Sequence, residues 1–129
     1  MTAVLLVVDA ANVVGSVPDG WWRDRVGAAQ RLRDALAAYA VDGLPAGAPG
    51  VPAGPLEIVL VVEGAARGVG GVPGVRVEAA RGSGDDRIVE VVAARAAGRR
   101  CVVVTADREL RARVRALGAE VAGPRAVRP

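Results

Sequence analysis

The run Val4-Leu5-Leu6-Val7-Val8, closed by Asp9 and followed three residues later by Asn12, constrains the fold more than any other stretch of the chain. Five consecutive large apolar residues read as a strand buried on both faces, the kind that lies inside a parallel sheet. A carboxylate and an amide at its carboxyl end stand where open α/β sheets bind ligands. Function then turns on whether other strands bring matching groups to the same edge.

Two later segments do. Leu56–Val62 is a second buried strand and ends at Glu63-Gly64. Cys101–Val104 is a third, running into Thr105-Ala106-Asp107-Arg108-Glu109. Val75–Ala79 alternates like a sheet edge, and Glu120-Val121-Ala122 reads as a last edge strand. Between them, Val26, Ala29, Leu32, Leu36 and Tyr39 recur at helical spacing and predict an amphipathic helix to about Ala40. Ile88, Val89, Val92, Ala93 and Ala96 predict a second helix, which Ser83 and Asp86 open in the manner of a capping box and Gly98 ends. Leu110, Val114 and Leu117 predict a third, closed by Gly118.

Residues 14–20 read as a turn region. Trp21 and Trp22 are assigned to the core edge, with base stacking as the less favoured role. Residues 42–55 have the Gly/Pro composition of an exposed mobile loop. Strands alternating with helices make an α/β fold, three-layer α/β/α with a mainly parallel sheet. The expected organisation is a single domain over residues 1–122, with residues 123–129 as a disordered tail.

Composition removes several chemistries. The 129 residues include no histidine, which excludes Ser-His-Asp and Cys-His catalysis and His-ligated metals. All 17 basic residues are arginine, so neither a P-loop lysine nor a Schiff base is available. The glycines between residues 64 and 74 do not form a dinucleotide fingerprint. Cys101 heads an apolar run and reads as a core thiol. The net charge of +3 permits a polyanionic partner without requiring one. No apolar run reaches the ~18–20 residues of a membrane span, and no basic segment precedes the first apolar stretch, so a cytoplasmic location is expected.

What remains is acid. Asp9, Glu63, Asp85, Asp86, Asp107 and Glu109 fall at strand ends or helix starts facing one edge, with Asn12 and Thr105 as neutral oxygen donors. A strand order that reverses between the Val4 and Cys101 strands would set Asp9 beside Asp107. Clustered carboxylates repel one another unless a hard cation neutralises them, and an all-oxygen ligand set suits Mg²⁺ or Mn²⁺. Such ions activate water and stabilise the leaving oxygen in phosphoryl chemistry. Helix capping is the competing explanation for Asp85, Asp86 and Asp107, and a solvated turn for Glu63.

Three ordered motifs give the sequence a family resemblance. Val7-Val8-Asp9-Ala10-Ala11-Asn12-Val13-Val14-Gly15, Gly84-Asp85-Asp86-Arg87-Ile88 and Val104-Thr105-Ala106-Asp107-Arg108-Glu109-Leu110 resemble the NYN branch of the PIN-like nucleases, nearest to the YacP-like bacterial proteins. The resemblance implies a metal-dependent endoribonuclease, with Asp9, Asp85 and Asp107 as the principal ligands of Mg²⁺ or Mn²⁺. It implies that Asn12 orients a phosphate or a ligand, and that Asp86 and Glu109 act as secondary ligands. The partner expected from it is RNA, single-stranded or structured, and association as a homodimer is left open. Thr105 is grouped with the substrate contacts. By sequence proximity, Arg81, Arg87 and Arg108 are the candidates to hold phosphates.

Two other families place acids at strand ends and do not fit. Response-regulator receivers need a late-strand lysine, and haloacid-dehalogenase phosphatases need a second aspartate where this chain has Ala11. The rival reading is a non-catalytic RNA-binding or assembly module on the same fold. Retention of Asp9, Asp85 and Asp107 together favours the nuclease.

Overall fold

A computed structural model describes residues 3–44, 50–52 and 54–128. Five strands form one sheet in the order β3-β2-β1-β4-β5: β1 (Val4–Asp9), β2 (Leu56–Val62), β3 (Val75–Ala79), β4 (Cys101–Val104) and β5 (Glu120–Ala122). Every pairing is parallel. The helices are α1 (Ala10–Gly15), α2 (Arg25–Asp42), α3 (Gly84–Ala94) and α4 (Arg108–Ala116).

The alternation of side chains along each strand sorts the core into two layers. Leu6, Val8, Leu60 and Val104 face α1 and α2, where they meet Val13, Leu32 and Leu36. Leu5, Val7, Val61 and Val103 face α3 and α4, where they meet Ile88, Val92, Leu110 and Val114. Each of these large side chains contributes about 1.5–3 kcal/mol through burial. The result is a three-layer α/β/α fold whose sheet is covered on both faces. It explains why Val4–Val8, Ile58–Val62 and β4 read as uninterrupted apolar runs.

Several local expectations differ from the structure. The supposed turn at Val14 begins earlier as the six-residue helix α1, capped by Asp9, whose Oδ1 accepts from the Asn12 N–H at 3.3 Å. Asp24 caps α2 through the Gly27 N–H at 2.9 Å, and Val26, expected on the apolar face, is exposed in the first turn of that helix. The α3 helix stops at Ala94 rather than near Gly98, because the Arg95 guanidinium takes the Val92, Arg99 and Leu117 carbonyls. Ser83 does cap α3, accepting from the Asp85 N–H at 3.1 Å, but the side chain of Asp86 turns away and closes no capping box. Cys101 is buried, and desolvation pushes its thiol up to about 11.

The tail corrects a larger expectation. Pro124–Ala126 forms a 3₁₀ turn, and Ala126 and Val127 join the α1/α2 core at 0% and 1% exposure. Arg128 then donates to the Val14 carbonyl at 3.3 Å and to Asp19 Oδ2 at 2.6 Å. Burial of two apolar side chains and capping of the end of α1 hold this segment in place. Residues 45–49 and 53, within the segment expected to be a mobile loop, lie outside the described residues. Leu44 and Val51 beside them pack on the first core.

Candidate functional site

The connections after β1 and β4 leave toward opposite faces of the sheet, and these strands are neighbours. The crevice at their carboxyl ends is therefore the switch point of the fold. Asp9, the last residue of β1, is only 5% exposed. Its Oδ2 accepts from the Thr105 hydroxyl at 2.9 Å, and that same hydroxyl accepts from the Asp107 N–H at 3.2 Å. Asp107 Oδ1 accepts from the Leu110 N–H at 2.8 Å and caps α4. Asn12 Oδ1 accepts from the Ala106 N–H at 2.8 Å, clasping the β4–α4 turn to α1. Arg111 Nε donates to the Thr105 carbonyl at 2.8 Å from the other side. Asp9, Asn12, Thr105 and Asp107 thus form one hydrogen-bonded unit spanning β1 and β4.

Asp85 and Glu63 complete the acidic edge. Glu63 is no solvated turn residue: its carboxylate accepts from the Gly84 N–H at 2.7 Å, at the amino end of α3. The approach is close: a Cβ on residue 84 would stand 3.2 Å from the Glu63 carboxyl carbon, so a larger residue would have to push that carboxylate aside. Asp85, one residue on, has a carboxylate with no hydrogen-bond donor among the described residues.

The electrostatics tie these acids together. Burial pushes Asp9 up to about 6 against the lowering effect of Thr105 and Asn12, with repulsion from Asp85 and Glu63 added. Asp85 is also raised, first by desolvation, then by Asp107 and Glu63, with Arg113 opposing. Four acids at one strand edge therefore interact, and two of them hold their protons more tightly than ordinary carboxylates.

Other sequence candidates point elsewhere. Asp86 pairs with Arg113 at 3.0 Å, toward α4. Glu109 is exposed in the first turn of α4. Arg87, expected to reach substrate, is instead held by Glu78 at 2.8 Å and Glu90 at 2.9 Å beside the edge strand β3. Those acids lie next to it on the α3 face and satisfy its guanidinium. Arg81 and Arg108 are exposed, and among the described residues neither has an acidic partner. Sequence reasoning missed Arg111 and Arg113, one tying the β4–α4 turn and the other facing Asp85 and Asp86. Their spacing along α4 carried no distinguishing signal.

The donor set fits a hard divalent cation: carboxylate, amide and hydroxyl oxygens, with no nitrogen or sulfur ligand at hand. As the side chains stand, no three acids among the described residues converge closely enough to enclose one. The reason is visible in the bonds: Asp107 and Glu63 each accept from a backbone amide, and Asp9 accepts from Asn12 and Thr105.

These features define a doubly wound α/β protein with an acidic crevice at its switch point. Among solved structures it resembles the crystal structure of Rae1 (YacP) from Bacillus subtilis, with a TM-score of 0.67 at 18% identity, over 95% of this chain and 70% of that one. The likeness is one of fold, and the fold is YacP-like. No family model and no curated protein sequence matches the chain. Among the described residues no helix is long and apolar enough to cross a membrane.

Proposed function

We propose that the chain is a metal-dependent endoribonuclease of the NYN/PIN-like type, hydrolysing RNA phosphodiester bonds at the β1/β4 crevice. The observation that carries this reading is the gathering of Asp9, Glu63, Asp85 and Asp107 at the carboxyl edge of β1 and β4, where burial first and these neighbours second raise Asp9 and Asp85. Like charges gathered at the ligand-binding edge of the sheet raise the free energy of the metal-free fold, and a cation relieves that repulsion. Asp9, Asp85 and Asp107 would hold Mg²⁺ or Mn²⁺. Bound there, the ion supplies an activated water and charge stabilisation at the leaving oxygen.

The remaining chemistry belongs to the chain. Thr105 fixes the rotamer of Asp9, and Asn12 holds the turn that presents Asp107. Asp85 stands with a free carboxylate at the mouth of the crevice, and Arg81 and Arg108 flank the edge as phosphate contacts. RNA meets this edge as substrate.

Asp85→Asn tests the reading. It removes the one carboxylate of the cluster that caps nothing, so the fold should survive. Cleavage of a labelled single-stranded RNA in Mn²⁺ should fall by at least a hundredfold, the scale of removing one charge-stabilising group. Unchanged cleavage by the purified variant rules out the assignment.

A second reading has a specific observation behind it. Asp9, Asn12, Thr105 and Asp107 all make structural hydrogen bonds. The same four residues would serve a non-catalytic RNA-binding module. Tight RNA binding with no cleavage under any divalent cation selects that module.

A further inference from the structure

A cleft of about 410 Å³ opens beside the acidic edge, between α1, the Trp21–Arg23 turn, α2 and the loops after β2 and β3. Its volume falls in the range of small-molecule sites. Ala11, Val14, Ala29 and Ala66 form apolar walls, with the Trp21 ring among them. Trp21 sits against the end of α1, where a Cβ on Gly15 would lie 3.8 Å from its Cζ2. The Arg25 guanidinium lies over the indole, 5.0 Å from its centroid, and has no acidic partner among the described residues. Trp22 meets Trp21 edge-on at 5.9 Å and is itself 49% exposed.

The cleft is built rather than incidental. Arg67 staples its far wall, donating to the Gly64 carbonyl at 3.3 Å and the Arg81 carbonyl at 3.4 Å. Glu63 and Ser83 belong to both the cleft and the acidic edge, so a strand lying on one passes directly to the other.

We propose that this cleft takes one unpaired nucleobase of an RNA strand, set against the Trp21–Arg25 pair, with the adjoining phosphate reached by Arg25. Apolar walls suit a base and exclude a phosphate. Aromatic rings and guanidinium planes are the surfaces on which splayed-out RNA bases stack. A base inside a duplex, already stacked, cannot enter, so the cleft selects single-stranded segments. The assignment rests on the ribonuclease reading only for the onward path of the strand, because stacking requires neither cation nor cleavage.

The test is run in EDTA, where binding is separated from chemistry. In a Trp22→Phe protein the remaining indole reports on the cleft. Short single-stranded adenosine and uridine oligoribonucleotides should quench its emission, and duplex RNA should not. Ala11 is exposed on α1, so Ala11→Leu fills the cleft without disturbing the core. It should weaken single-strand binding about tenfold or more, as should Trp21→Ala, with the salt dependence unchanged. Arg25→Ala should instead flatten the log–log salt slope by about 0.7, one phosphate contact on a single strand. An oligomer carrying an abasic position should bind the parent as weakly as the intact oligomer binds Ala11→Leu.

If Trp21→Ala fails to fold, Ala11→Leu alone decides. Equal affinity of parent and Ala11→Leu overturns the proposal. So does adenosine monophosphate binding as tightly as the oligomer, which would make the cleft a mononucleotide site. Base binding without cleavage in Mn²⁺ upholds the cleft and removes the nuclease. Cleavage with affinity untouched by Ala11→Leu does the reverse.

Discussion

Replacing Asp9 by Asn should make the metal-free protein more stable at neutral pH, and the gain should appear over a defined pH window. Asp9 is raised from 3.8 to about 6, chiefly because burial penalises the anion. Below pH 4 it is protonated in both the folded and the unfolded chain and costs nothing. Between pH 4 and 6 the unfolded chain releases the proton while the folded one keeps it, so stability falls as pH rises. Above pH 6 the full penalty remains, about 3 kcal/mol for a difference of roughly two pH units.

Asn removes the charge but must offer an amide nitrogen to one of the two donors that the carboxylate accepts, Thr105 Oγ1 or the Asn12 N–H. Thr105 can turn its hydroxyl to accept, at a cost of about 1 kcal/mol for a poorer bond. The net gain near pH 7.5 is then about 2 kcal/mol, a rise in Tm of about 5–8 °C for a domain of this size. Thermal melts of parent and variant in EDTA from pH 4 to 8 check it, read as the difference between the two so that other carboxylates cancel. The gap should be small at pH 4, open by pH 6 and stay level above. A gap absent or constant across that range refutes the burial argument. Millimolar Mn²⁺ adds a second readout. At a hundredfold excess over Kd, a cation bound only by the folded parent stabilises it by about 2.7 kcal/mol. The variant should lose most of that response, and equal shifts in both proteins would take Asp9 out of the cation site.

Further outcomes follow from single contacts. Asn12→Ala deprives the Ala106 N–H of its 2.8 Å acceptor and should cost about 1 kcal/mol, with faster hydrogen exchange at Ala106; unchanged exchange there would mean that the clasp does not hold the turn. Glu78 bridges Arg76 at 3.2 Å and Arg87 at 2.8 Å, and Glu78→Ala should cost about 0.5–1 kcal/mol at low salt and less at high salt. A salt-independent loss in urea melts would assign Glu78 a packing role instead. Ending the chain after Gly123 removes buried Ala126 and Val127 and should lower stability by about 2–3 kcal/mol, several degrees in Tm; an unaltered melt would return the tail to disorder.

What could be read from the sequence, and what could not, divides by the range of the interactions involved. β1, β2 and β4 were legible because the part of a strand that is covered on both faces must be apolar, and Asp9 stood out because it is buried at a strand end and breaks that rule. The short helix α1 was not legible. Its Val13 and Val14 are weak helix formers, and its formation depends on the Asp9 cap and on packing against α2. The contact between Glu63 and the Gly84 amide spans 21 residues, and no local pattern announces it. The ordered tail rests on two small apolar residues hidden among Gly, Pro and Arg.

The sequence also left a choice between capping and chemistry for the aspartates, and geometry alone does not resolve it, because Asp9 and Asp107 do cap helices. Electrostatics bears on the choice. A carboxylate that only caps is stabilised as an anion by the amides and the helix dipole, so its proton affinity falls. Asp9 caps α1 and is nevertheless raised to about 6; Asp85 lies in the first turn of α3 and is raised as well. Capping cannot produce that sign. Burial produces it first and the neighbouring acids add to it, and the cation proposed for this edge would offset that cost.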